Sequence, residues 1–344
     1  MPRMLHIDGS RGEGGGQILR TSLALSMITN TPIRITNIRA RRAKPGLMRQ
    51  HLTAVQAAAG ISKAQVEGAA VGSQEIAFTP SAVTPGDHCF AIGTAGSTTL
   101  ILQTVLPALI LATGPSRLIL EGGTHNPMAP PFEFLDRAFL PLLRRMGATV
   151  EATLERAGFY PAGGGRLTVN ISPIRELQGF DLLERGELRN RQGTVLLANL
   201  PGHIAGREVK KLTELTSWDP ACFEIRKLDS AGPGNAVLLE LESENVTEVF
   251  TAFGEAGVSA EAVAERAVRE MRSYLVADVP VGEHLADQLL LPLALARSGS
   301  FRTLPLSLHT QTQVELIPEF LDVRIGVEVE DGKGGRVCRV GVGA

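Results

Sequence analysis

The chain has 344 residues, 44% of them hydrophobic and 20% charged, and 34 Lys+Arg against 36 Asp+Glu leave a net charge of −2. That composition excludes a disordered or strongly polyionic chain and implies a globular protein with a large core; the apolar stretch Leu100–Ala112, broken by Gln103, Thr104 and Pro107, falls short of the ~18 residues of a membrane span, so no membrane role is expected. The opening residues lack the apolar run of a signal peptide, and Cys89, Cys222 and Cys338 are odd in number and widely spaced, so the expected address is the cytoplasm, without disulfides or a CxxC zinc site.

In chain order the sequence repeats one unit. A strand at Met4–Ile7 leads into a helix over Gln17–Ile28, a strand over Pro32–Ile38, a second helix over Leu47–Ala59 and a hairpin over Gln65–Thr79. The same order follows in His88–Ile92, Ser97–Ala112, Arg117–Leu120, Pro131–Met146 and a hairpin over Ala148–Ile171. Within Pro131–Met146, Phe132, Leu135, Phe139, Leu142 and Met146 fall at three- and four-residue steps, which makes one apolar stripe of a helix. A third copy reads as a helix over His284–Ala296, a strand over Phe301–Leu308, a helix over Thr310–Phe320 and a hairpin over Arg324–Val340. The fold class is therefore α/β, with three β-α-β-α-β-β units in a large domain, 1–184 and 280–344. Residues 185–279 have another rhythm. Strands at Gly193–Leu200, Ala236–Ser243 and Thr247–Phe253, with helices at Arg207–Thr216 and Ala260–Leu275, read as a small α/β domain inserted into the third unit.

Charge is unevenly spread along this plan. No Asp or Glu occurs from Gly14 through Val66, whereas Arg20, Arg34, Arg39, Arg41, Arg42, Lys44, Arg49 and Lys63 lie there. Such a run is either a solvated basic face or a cradle for phosphates. The loop Asp8–Gln17 brings Glu13 between glycines immediately before the first helix. It is either a tight turn or an anion site at a helix N-terminus, and Glu13 suits a cation that bridges phosphates. It is neither a P-loop nor a GxGxxG fingerprint. His309 is read as the end of a strand that faces a cleft, with Asp287 and Gln288 on the preceding helix able to share that cleft; a purely structural histidine is the alternative.

The strings GEGGGQILR, IRARRAKPGLMRQHLTAV, AGSTTLILQTVLPAL, GGTHNPMAPP, GFYPAGGG, ESENVTE and VGEHLADQLLLPLALA resemble the RNA 3′-terminal phosphate cyclases nearly end to end. The resemblance implies three β-α-β-α-β-β units with a small inserted domain. It implies an enzyme of the ligase class that uses ATP to convert an RNA 3′-phosphate into a 2′,3′-cyclic phosphate, through AMP carried on the Nε2 nitrogen of a histidine and then on the RNA end. By position that histidine is His309. Gln103, Pro130, His284, Leu285, Ala286, Asp287 and Gln288 match the ATP pocket, His284 standing where the family often has an adenine-stacking tyrosine. Arg20, Arg39, Arg42, Gln50 and His51 match the surroundings of the RNA-end and ATP phosphates, and Glu13 the position of a divalent cation, Mg or Mn. Gln313 stands where the family has asparagine. The implied partners are ATP and RNA with a 3′-phosphate end. All these residues lie outside the insert, so a chain without the insert is expected to keep some self-adenylylation, provided the host still folds. A non-catalytic ribosome-assembly scaffold of the same fold is the alternative, against which the retained His309, Glu13 and arginines speak. A carboxyvinyl transferase of related repeat architecture is a third reading, with no need of a histidine nucleophile.

Overall fold

The computed structural model describes residues 3–343. Its first sheet contains β1 (Leu5–Asp8), β2 (Ile33–Thr36), β3 (Gln65–Glu67) and β4 (Ile76–Thr79), in the spatial order β1-β2-β4-β3. β1 runs parallel to β2, whereas β4 is antiparallel to both β2 and β3. The parallel pair requires a crossover, which α1 (Gly16–Thr29) supplies, and α2 (Arg49–Ser62) leads on to the hairpin. α1 stops where Asn30 turns into the left-handed region at φ 53° and its N–H reaches back to the Ser26 carbonyl.

The second unit repeats this wiring with β5 (Gly86–Ala91), α3 (Thr98–Ile110), β6 (Ser116–Gly122), a broken second helix, β7 (Thr149–Arg156) and β8 (Gly165–Ser172), in the order β5-β6-β8-β7. The expected helix over Pro131–Met146 is divided into α4 (Phe132–Phe134), a π-helical turn over Leu135–Phe139 and α5 (Leu140–Arg145). The Leu140 N–H bonds the Leu135 carbonyl five residues back. Pro141 has no N–H for the carbonyl of Arg137, and its ring crowds that turn, so the helix widens there.

The third unit begins earlier than its sequence signal. β9 (Asp181–Leu182) pairs in parallel with β14 (Gly299–Thr303), and β15 (Arg324–Gly332) and β16 (Gly335–Gly343) complete the order β15-β16-β14-β9. Two residues are too short to show alternation, which is why this first strand is invisible in the sequence. Its helices are α8 (Glu283–Ala296) and α9 (Leu308–Leu316). β14 ends at Thr303, not at Leu308 as expected from the sequence. Pro305 cannot donate to a ladder, and the Ser307 hydroxyl then accepts the Thr310 N–H at 3.2 Å and starts α9.

Between β9 and α8 lie β10 (Leu188–Ala198), α6 (His203–Thr216), β11 (Phe223–Lys227), β12 (Gly234–Ser243), β13 (Thr247–Phe253) and α7 (Ala260–Ala277). Their sheet has the order β11-β10-β12-β13. Val263, Ala267, Met271 and Tyr274 turn one face of α7 onto Val237, Leu239 and Phe250 of that sheet, a core separate from the one shared by the three units. Val337 of β16 joins this smaller core, so the insert is packed against its host. Among the described residues no helix is long and apolar enough to cross a membrane.

Candidate functional site

The first helices of the three units, α1, α3 and α8, converge on polar side chains in an otherwise apolar core. The Gln103 amide of α3 donates to Gln288 Oε1 of α8. Gln17 of α1 donates to Asp287 Oδ1 at 3.1 Å, and its own Oε1 accepts from Arg20 at 3.0 Å. Asp287 also receives Gln313 Nε2 from α9 on Oδ1 and Gln288 Nε2 on Oδ2 at 3.2 Å. Burial pushes the Asp287 carboxyl upward, and the Gln313 bond, His309 and Arg20 pull it back. A carboxylate so placed needs these donors, since a buried unpaired charge is costly.

Beside this cluster opens a cavity of about 220 Å³ whose lining includes Arg20, Gln103, Pro130, His284, Asp287 and His309. A smaller chamber of about 50 Å³, lined by Arg20, Gln103, Asp287 and Gln313, continues inward. His309 occupies the first turn of α9, not a strand end, and is solvent-accessible. Burial of part of the ring is the largest influence on its pKa and lowers it; Asp287 raises it, and Arg20, His284 and Arg42 lower it. The net direction is down, so the imidazole is neutral at pH 7 and has a free nitrogen lone pair.

His51 has the matching place in the first unit, the first turn of α2. Its Nδ1 accepts the Met48 N–H at 3.1 Å, which puts the ring proton of the neutral form on Nε2. Burial above all, then Arg20 and Arg39, holds its pKa down to about 3. Arg20 lies so deep that burial lowers its own pKa to about 10, against the pull of Asp287, and its Nε has no partner among the described residues. An unpartnered guanidinium N–H next to a cavity is suited to an anionic oxygen.

The glycine loop closes the site from the other side. The carboxylate of Glu13 accepts the Gly15 N–H at 2.7 Å and pairs with Arg42, which also donates to the Glu13 carbonyl at 3.2 Å. Arg39 is tied to its own loop, donating to the carbonyls of Lys44 at 2.6 Å and Gly46 at 2.9 Å. Gln50 accepts the Ser97 N–H at 2.8 Å and so links the first unit to the second. The side chains of Leu285 and Ala286 lie in the core, away from the cavity lining. A cation at Glu13 would find a single carboxylate from the protein, since among the described residues no group of three or more His, Cys, Asp or Glu is arranged for a metal. That donor set fits an ion that takes its other ligands from phosphate oxygens and water.

The insert contributes to the cavity wall, although every site residue expected from the sequence lies outside it. Val249, Thr251 and Phe253 of β13 line the cavity, and Glu270 of α7 faces His284 Nε2 at 3.4 Å. Two further participants were not singled out by sequence: Gln17, a residue of the glycine-rich string without a signal of its own, and Glu270, hidden in the charged face of an amphipathic helix.

The fold and the site define an α/β protein of three repeated units around a shared polar centre, with a glycine-rich loop at its rim, and residues 11–327 match the RNA 3′-terminal phosphate cyclase family. The chain belongs to that family. It is 52% identical over 329 residues to a protein named RNA 3′-terminal phosphate cyclase from Koribacter versatilis (strain Ellin345), covering 95% of this chain and 93% of the relative.

Proposed function

We propose that this protein uses ATP to convert the 3′-terminal phosphate of an RNA into a 2′,3′-cyclic phosphate, with His309 as carrier of AMP. The observation that carries this reading is His309 itself, an accessible neutral imidazole on a cavity wall beside Arg20 and Asp287. A 3′-phosphate cannot close on its 2′-OH unaided, because an oxide would have to leave. In the proposed sequence the His309 nitrogen attacks the α-phosphorus of ATP, a P–N bond forms, and pyrophosphate leaves with the bonding electrons. An oxygen of the RNA 3′-phosphate then takes the AMP and frees the imidazole. The 2′-OH attacks the 3′-phosphorus, loses its proton, and AMP departs.

The residues divide this work by their chemistry. Arg20, Arg42 and the Nε2–H of His51 would meet phosphate oxygens and offset charge that builds up during transfer. Asp287, fixed by Gln17, Gln288 and Gln313, would hold His309 in position and steady the charge it acquires. Gln103, Pro130 and His284 would border the nucleoside. Glu13 would hold a divalent cation, which would supply charge neutralisation for the phosphates; Arg42, which now pairs with Glu13, would be released towards phosphate. Ring closure needs least assistance, since its nucleophile is tethered beside the phosphorus.

The test is incubation with α-labelled ATP followed by a denaturing gel. The wild type is expected to retain acid-labile label and His309→Asn to retain none while remaining folded. Label on the folded variant would exclude His309 as carrier, and an unlabelled wild type would favour the scaffold reading.

A further inference from the structure

A second and larger cavity, about 750 Å³, lies between the second unit and the insert, away from the groups assigned to AMP transfer. Pro127 and Phe253 line both cavities, so the two adjoin. Its walls are largely apolar and aromatic, with Phe159, Tyr160, Ile204 and Phe253 among them. Tyr160 is 67% exposed, with a ring that contributes little to the core. At the wall lies Glu208, fully buried, whose Oε2 accepts from Asn235 Nδ2 at 2.9 Å and whose Oε1 has no partner among the described residues. A buried acceptor without a donor is expensive, and such groups are rare unless something supplies the missing hydrogen bond.

The lining contains no Lys or Arg; its titratable groups are His125, Tyr160, Glu208 and Glu255. His125 is committed to Thr124 at 2.8 Å and Glu133 at 2.9 Å, so it offers nothing to a ligand. A phosphate would find two carboxyl groups and no cation. What fits is a flat, uncharged group that stacks on aromatic surface and gives one N–H to Glu208 Oε1.

We propose that this cavity takes an unpaired base of the RNA at or next to its 3′ end, stacked on Tyr160, with a base amino group donating to Glu208. The proposal rests on the RNA-end reading above, which places a single strand at the adjoining cavity, and it identifies a specificity site that reading does not contain. Adenine, cytosine and guanine present an exocyclic amino N–H, whereas uracil offers only its ring N3–H, set between two carbonyl oxygens that a carboxylate repels, so Glu208 disfavours uracil at the recognised position. Asn235 is a positioning residue, since its amide holds Oε2 and leaves Oε1 free for the base.

The test uses the full-length protein and short 3′-phosphorylated RNAs that differ only in the last two bases. Cyclisation kinetics and fluorescence anisotropy of the same RNAs are measured in parallel. Tyr160→Ala is expected to raise the KM for RNA by about tenfold, the scale of one lost base stack, with the KM for ATP unchanged, and Tyr160→Phe to restore it. Glu208→Gln, whose amide presents N–H where the base amino group needs an acceptor, should abolish or invert the preference against uracil. Variants that keep the wild-type RNA KM, affinity and order of bases overturn the proposal. Failure of the wild type to cyclise would count against the enzyme reading, while the anisotropy series still decides the base site by itself.

Discussion

The backbone N–H of Glu13 donates to the hydroxyl oxygen of Thr312 at 2.9 Å, and that hydroxyl donates in turn to the Leu308 carbonyl at 2.6 Å. The glycine loop of the first unit is thereby fastened to the helix turn that carries His309, across almost the whole length of the chain. Gly12 makes this approach possible. It sits at φ +51°, and a Cβ there would overlap the Thr312 hydroxyl.

Gly12→Ala should therefore fail on two counts, left-handed strain and displacement of α9. A stability loss of about 1 kcal/mol or more is expected from the backbone alone. Retention of AMP should fall further than stability does, because Glu13 and His309 lose their common anchor. Thermal melting beside ATP labelling checks this; a variant with wild-type labelling would show that the contact is dispensable.

Glu248 supplies a pH dependence of stability. It is buried in β13 and accepts the Gly282 N–H at 2.5 Å at the start of α8, the helix that holds Asp287. Burial is the largest influence and lifts its pKa from 4.5 to about 8. The native state thus keeps a proton that the unfolded chain releases above 4.5. Stability from this group is complete below 4.5 and is lost as pH rises towards 8, by up to about 1.4 kcal/mol per pH unit. Glu248→Gln keeps an acceptor for Gly282 without the titration. It should melt like the wild type at about pH 4 and clearly above it at about pH 8. Parallel melting curves at both pH values would refute the assignment.

Activation and ring closure should separate on a modified substrate. Adenylyl transfer requires only the terminal phosphate, whereas cyclisation requires the neighbouring 2′-OH as a tethered nucleophile. An oligonucleotide with a 3′-phosphate on a 2′-deoxy sugar should accept AMP and stop, gaining the mass of one adenylate. The ribose substrate should instead lose water. A deoxy end that stays unmodified while the ribose end cyclises would make the 2′-OH a requirement of the first transfer.

By itself the sequence determined the repeat. Hydrophobic periodicity recurs locally in each unit, and for that reason α1, α3 and α8 and the three hairpins were legible with their order. The strings that carry the family resemblance, GEGGGQILR among them, were legible as well, and it was that resemblance, not periodicity, that pointed to Gln103, Pro130 and His284, which the structure places on the cavity wall. The tertiary structure decided everything that depends on what a residue faces. It placed His309 in a helix turn after Pro305, opened a π turn at Pro141, and paired the two-residue β9 with β14 across the intervening insert. It also brought Glu270 to His284 and β13 to the cavity wall. Periodicity reports how an element is buried, but not against which partner. Contacts between units separated by more than a hundred residues are fixed only when all three first helices pack together, and there the polar centre that surrounds His309 is assembled.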